Sequence, residues 1–214
     1  MNRFEQAVYD CMIPTAELLE RTTKPLHRAM LLNFWRHMHL EGTGEYARIV
    51  APDMMVDEPV YRVTWGANPA VITGKEGVLA FYNAVGGAVL WNSDDFLAVA
   101  DWGICDELTF HQIARGADLQ AIGYDVDDPD ALYHAASRQA FVWPYDSQAR
   151  LVGENLYEDK TSLTIEEVSP AEAITPARVR EIHREQLAKL EAGRGERFWV
   201  LETDALEAPQ AARA

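Results

Sequence analysis

The sequence predicts an α+β domain in which a long, strongly bent antiparallel sheet wraps around three helices as a cone, with a helical arm before it and a helix after it. Three observations carry this prediction. Apolar residues recur at helical spacing through residues 4–50. β-Branched and aromatic residues dominate four long stretches between Val89 and Glu167. The two kinds of segment are segregated, where βαβ units would alternate them.

Taken in order, Phe4, Ala7, Val8 and Met12, then Leu18 and Leu19, describe an arm over Phe4–Glu20, interrupted by Pro14 and closed by Pro25. Met30, Leu31, Phe34 and Met38 form the stripe of a stronger helix, Leu26–Leu40, which Gly42 and Gly44 terminate. A short helix is expected at Gly44–Val50, and Pro52 and Pro59 bracket a turn into a strand, Val60–Trp65. The third helix is Lys75–Val85, stopped by Gly86-Gly87. Strands follow at Val89–Ala100, Gly103–Arg115, Leu132–Tyr145 and Arg150–Glu167, with turns at Asp101–Gly103 and Asp146–Gln148. Strands of this length must bend, and the cone they make is hard to fill, so an apolar cavity open at one end is expected. The last helix, Pro176–Ala192, has Thr175 as N-cap and Pro176 at its first position. Beyond it come a polar turn, Gly193–Glu196, and a tail past Phe198 that docks or frays. The domain boundaries read as a helical extension over 1–25, the cone over 26–170, and the C-terminal helix and tail over 171–214.

Composition narrows the partners. A net charge of −15 with scattered Lys and Arg repels phosphate backbones, so nucleic acid is not an expected partner. No apolar run spans a bilayer, and Met1–Glu20 lacks a signal-type apolar region, so a soluble, cytoplasmic protein with no membrane partner is expected. Cys11 and Cys105 fit neither zinc spacing nor a disulfide framework and read as free thiols. His37 and His39 diverge on a helix, and Asp125–Asp130 lacks the central Gly and terminal Glu of a calcium loop. With no phosphate-cradling loop and no nucleophile elbow, no metal, nucleotide or other cofactor is expected.

Three stretches carry a family resemblance. Ile49–Pro59 resembles the passage in ketosteroid isomerases and SnoaL-like polyketide cyclases that enters the first strand. Thr73–Tyr82 resembles their third helix, and Ala149–Asp159 their final hairpin strand. Together these anchors span Met30–Val168 and resemble the nuclear transport factor 2-like superfamily, which includes scytalone dehydratase-like enzymes and has a cystatin-like cone. In ketosteroid isomerases the acid before the Pro at this junction is the general base, a position that Glu58 occupies here. The oxyanion donors of those enzymes fall at Phe34 and near Phe141, neither of which donates, which argues against steroid isomerisation. The superfamily's dehydratases use a cavity His, Asp and Tyr, and the resemblance offers His134 for that role, with Arg138 four residues on and sharing its strand face. SnoaL-like cyclases place an acid or base in the last hairpin, where Glu154 and Asp159 stand.

The candidate catalytic set is therefore Glu58, His134, Arg138 and Glu154, each weighed against a solvated or structural role. Desolvation by an apolar wall would raise Glu58 into the range of a base, while Asp57 has the opposite strand parity. His111 is a candidate because a neighbouring strand can bring it to His134. Candidate wall residues are Phe34, Tyr61, Trp65 and Tyr82, then Trp91, Phe141, Trp143 and Tyr157, each of which could equally be core. The expected activity is cofactor-independent proton transfer, that of a lyase or isomerase acting on an apolar aromatic or polycyclic molecule. Dehydration, polyketide cyclisation and the deformylation of lignin-derived diols by diarylpropane lyases are what the resemblance implies. A non-catalytic binding or assembly module is the alternative. In either case a homodimer or homotrimer is expected, the dimer through the outer sheet face.

Overall fold

The computed structural model describes residues 1–67, 69–85 and 88–192. The Gly86-Gly87 stop, the Gly193–Glu196 turn and the tail beyond Phe198 lie outside them. The elements run α1 (Arg3–Asp10), α2 (Ile13–Arg21), α3 (Pro25–Thr43), α4 (Tyr46–Ile49), β1 (Met55–Thr64), β2 (Ala70–Thr73), α5 (Gly74–Val85), β3 (Val89–Ala100), β4 (Gly103–Arg115), α6 (Gly116–Ala121), β5 (Leu132–Pro144), β6 (Leu151–Glu167) and α7 (Pro176–Glu191). One curved, unclosed sheet has the order β2-β1-β6-β5-β4-β3. All its pairs are antiparallel except β1–β6, which is parallel. β2 and α6 are additions to the elements expected from sequence. Both are short, and neither carries a periodic apolar pattern long enough to stand out.

The arm forms as two helices because Pro14 sits in the first turn of α2, where its missing N–H costs nothing. α1 opens with a capping box between Asn2 and Glu5. Phe4 then packs edge-on against Trp91 and His134, while Arg178 of α7 pairs with Glu5 at 2.8 Å. Arm, cone and last helix thus share one continuous core, which includes Phe4, Met30, Tyr61, Trp143 and Ile182. Asn33, fully buried, ties α3 to the sheet by donating to the carbonyls of Met54 and Ala149, each at 2.9 Å.

Gly42 does not end α3, as its sequence position suggests. The helix runs on to Thr43, and Gly44, at φ 80°, is the left-handed cap. Gly42 instead admits α7: a Cβ there would lie 2.3 Å from the His183 ring. His183 in turn meets His39, Nδ1 to Nδ1 at 3.0 Å, and Trp35 Nε1 donates to His39 Nε2 at 2.9 Å. Because an indole only donates, His39 must carry its proton on Nδ1 and give it to His183. Both imidazoles are neutral, burial holding His39 at about 3 and His183 at about 4. No helix among the described residues is long and apolar enough to cross a membrane.

Candidate functional site: a cavity with two acidic ends

Side chains on one face of the sheet and on α3, α5 and α7 enclose a cavity of about 100 Å³, partly open to solvent. Strand parity decides which residues reach it. Asp106, Leu108 and Phe110 alternate along β4, Phe141 and Trp143 along β5, and Glu154 and Leu156 along β6. α3 presents Phe34, Met38 and Glu41 at steps of four and three, and α5 presents Phe81, Tyr82 and Val85. α7 supplies Pro176, Val179, Arg180 and His183. The aromatic wall is continuous: Phe110 lies 6.1 Å from Phe141, which stacks on Trp143 at 5.7 Å, and Trp143 takes the edges of Phe34 and His37.

One end is built around Glu154. Its neighbour across the parallel β1–β6 pair is Tyr61, fully buried behind the cavity. Burial first, and then the Glu41 carboxylate, raise the Glu154 pKa well above that of an ordinary carboxyl. Burial alone lifts Glu41 to about 7. Tyr82 lines the cavity with its hydroxyl 2.8 Å from His37 Nε2 and 3.1 Å from the Tyr61 hydroxyl. His37 is neutral, held at about 3 by desolvation, with Nε2 3.8 Å from Glu41. Trp143 Nε1 and the Tyr145 hydroxyl are buried with no hydrogen-bond partner among the described residues. At neutral pH this end holds one protonated acid, a second acid raised toward the neutral range and an unspent indole N–H.

The other end is a carboxyl pair. Asp106, 1 % exposed, lies against Asp95, and Asp106 Oδ1 and Asp95 Oδ2 are buried with no hydrogen-bond partner among the described residues; burial and that neighbour push Asp106 up to about 8, and burial also raises Asp95. Asn92, beside them, donates one N–H to the Cys11 carbonyl at 3.0 Å and one to Asp95 Oδ1 at 2.6 Å, and its own Oδ1 has no partner among the described residues. Burial and the nearby Asp95 raise the Cys11 thiol to about 12, so it stays protonated.

Of the residues singled out in the sequence, Glu154, Phe34, Trp65, Tyr82, Trp91, Phe141 and Trp143 line the cavity, and Tyr61 backs it. The others are elsewhere. Glu58 is exposed, because the buried residues of this part of β1 are Pro59, Tyr61 and Val63 and Glu58 has the opposite parity. The expectation that an apolar wall would desolvate it fails. His134 and Arg138 share the outer sheet face. Arg138 is spent on Glu107 at 2.8 Å and Thr109 at 3.2 Å. His134 lies 3.0 Å from Glu166 and 3.0 Å from His111, which continues to Ser93 at 2.8 Å, and both rings stack on Trp91. This outer chain places neither imidazole in the cavity. Tyr157 and Asp159 also point outward, Tyr157 being 49 % exposed, since they alternate with Leu156.

Glu41 and Asp106 were missed, although both left a signal. Glu41 is a carboxylate on the apolar stripe begun by Phe34 and Met38, and Asp106 shares parity with Leu108 and Phe110. Among the described residues no group of three or more His, Cys, Asp or Glu side chains could hold a metal.

The fold and cavity define a cone-shaped α+β domain of the nuclear transport factor 2-like fold. A structure from Shewanella putrefaciens described as a SnoaL-like polyketide cyclase superposes with a TM-score of 0.52, covering 71% of this chain and 88% of that one at 11% identity. An NTF2-like protein from Anabaena variabilis gives 0.48 over 66% and 95% of the two chains at 13% identity. A Mycobacterium tuberculosis protein solved with estradiol-17beta-hemisuccinate gives 0.44 over 66% and 99% at 17% identity. At such identities the likeness is one of fold. No family model matches the sequence, and no curated protein does.

Proposed function

We propose that the cavity is the active site of a cofactor-independent lyase or isomerase that moves a proton on a small, largely apolar substrate carrying a carbonyl or hydroxyl oxygen. The observation that carries this reading is Glu154, a buried carboxyl on an aromatic wall, kept protonated at neutral pH beside a second acid, Glu41, whose pKa is about 7. Two acids whose environments separate their protonation states can divide the work of general acid and general base. Glu154 would give its proton to the substrate oxygen, and ionised Glu41 would take one from the adjacent carbon. The unpaired Trp143 N–H is a further donor for that oxygen.

The size of the cavity bears on the substrate. An apolar hole of roughly 150 Å³ holds one benzene ring, so about 100 Å³ favours a single-ring or smaller body over a polycycle or a diarylpropane. The test is a turnover screen over single-ring aromatic ketones, hydroxyketones and diols, repeated with Glu154→Gln and Glu41→Gln. Loss of a general acid or base is expected to lower kcat by about 10²–10⁴-fold. Turnover that survives in both variants removes the two acids from the mechanism. Saturable binding without turnover in the unaltered protein would instead identify a non-catalytic binding module.

A further inference from the structure

The end of the cavity around Asp106 is built differently from the Glu154 end, and the reading above does not use it. Its amide donors are consumed internally. The two N–H bonds of Asn92 go to Cys11 and Asp95, and Asp95 Oδ2 and Asp106 Oδ1 are buried with no partner among the described residues; two carboxyls at one site do not both ionise, so such a pair keeps one proton. Apart from the weakly donating Cys11 thiol, what remains facing the cavity is acceptor. Asn92, 5 % exposed and in the cavity lining, has an Oδ1 without a partner, and no N–H among the described residues reaches the Asp106 carboxyl. A carboxyl pair with one shared proton carries one net negative charge, and a buried charge demands a counter-charge or hydrogen-bond donors. Arg180, the one described lining residue with a permanent positive charge, lies beside Gly44 on the α7 side and acts on Tyr46, near Glu41. Arg138 acts on Asp106 by charge from the other face of the sheet, but its hydrogen bonds there go to Glu107, Thr109 and the Asp94 carbonyl.

We propose that Asn92, Asp95 and Asp106 form a subsite for the protonated amine of a single-ring ligand. An ammonium group offers several donors, no acceptor and one positive charge, which complements an acceptor-rich cluster with one negative charge. A hydroxyl brings a single donor and lone pairs of its own. Aromatic faces stand where the rest of such a ligand would lie: Phe141 is the register partner of Asp106, and Phe110 that of Asn92. The row Asp106–Phe141–Leu156 crosses the sheet, and Glu154 lies two residues back along β6. Strand spacing and rise then put the Asp106 and Glu154 Cα atoms about 12 Å apart, so one ring with a short aminoalkyl arm reaches both ends. The inference rests on the cavity being a ligand site, as proposed above, and is independent of proton transfer by Glu154.

The test is calorimetric titration of the purified chain at neutral pH and fixed salt with 2-phenylethylamine and its neutral counterpart 2-phenylethanol. The amine is expected to bind at least about tenfold tighter, as one charge-assisted pair in a desolvated site allows. Either single Asn substitution leaves one carboxylate, so the charge is removed only in D95N/D106N. That double variant is expected to lose the preference for the amine while keeping its affinity for the alcohol, which also reports an intact cavity. If the double variant does not fold, the ratio of the two affinities in the unaltered chain decides. Equal affinities, or an amine preference that survives in the double variant, overturn the subsite. Binding of the alcohol alone overturns it and leaves the cavity a ligand site, whereas binding of neither probe overturns both readings.

Discussion

At the residue scale, the same side chain changes meaning with the direction it points. Glu154 and Glu58 are the same acid on two neighbouring strands, yet one is buried with a strongly raised pKa and the other stands in solvent. The difference is parity: Glu154 alternates with Tyr157 and shares a face with Leu156, whereas Glu58 lies opposite to Tyr61. Gly42 shows the same dependence on context, because it ends a helix in the sequence pattern and admits the His183 ring in the structure. Gly42→Ala forces a methyl into that ring. Overpacking of this kind is expected to cost about 1–3 kcal/mol, read by chemical denaturation. A change within about 0.5 kcal/mol, the range of an indifferent surface site, would show that α7 does not seat against α3 in this way.

At the element scale, α7 links the fold to the site. It lines the cavity with Val179, Arg180 and His183, packs on α3 and receives the arm through Arg178 and Glu5. Its start is set by Thr175, whose side chain accepts from the Arg178 N–H, followed by Pro176. Thr175→Ala is expected to destabilise the chain by about 1 kcal/mol and to make protease cuts in α7 appear earlier than cuts in β4 and β5. Uniform protection would show that α7 does not open on its own. This helix was legible in the sequence because cap, proline and periodicity agree, as were the four long strands. β2 and α6 were not, for at four and six residues their identity comes from pairing with β1 and from packing under Tyr124.

At the scale of the whole molecule, burial has loaded the interior with groups that titrate away from their usual range, in two opposing sets. Glu41 and Asp106 keep protons in the fold to about 7 and about 8, against 4.5 and 3.8 for the ordinary groups. Folding therefore takes up protons in that interval, and the stability these acids contribute is complete below their unfolded values and drains as pH rises toward 8. The buried imidazoles act the other way. His37 and His39 titrate at about 3, and His111 and His183 at about 4, against 6.5. The unfolded chain binds those protons first, so stability falls as pH drops from 6.5 toward 3. The two slopes oppose each other between roughly 4.5 and 6.5; above that window the raised acids act, and below it the imidazoles are joined by paired carboxylates such as Glu5 and Asp101, whose partners hold them below their ordinary range. Tm followed by circular dichroism is expected to peak inside it and to decline on both sides. A Tm that climbs steadily to pH 8 would mean that the cavity acids are ionised in the fold.

By itself the sequence determined the segregated α+β order, the long bent strands and the aromatic supply that make a cone, because periodicity and turn chemistry are local and survive without partners. The cone's second acid, its carboxyl pair and the exclusion of Glu58, His134 and Arg138 from the cavity were decided only by the tertiary structure. Register between strands and the approach of α7 through Gly42 select which ionisable groups lose water, and desolvation is a property of the surroundings that no residue carries alone.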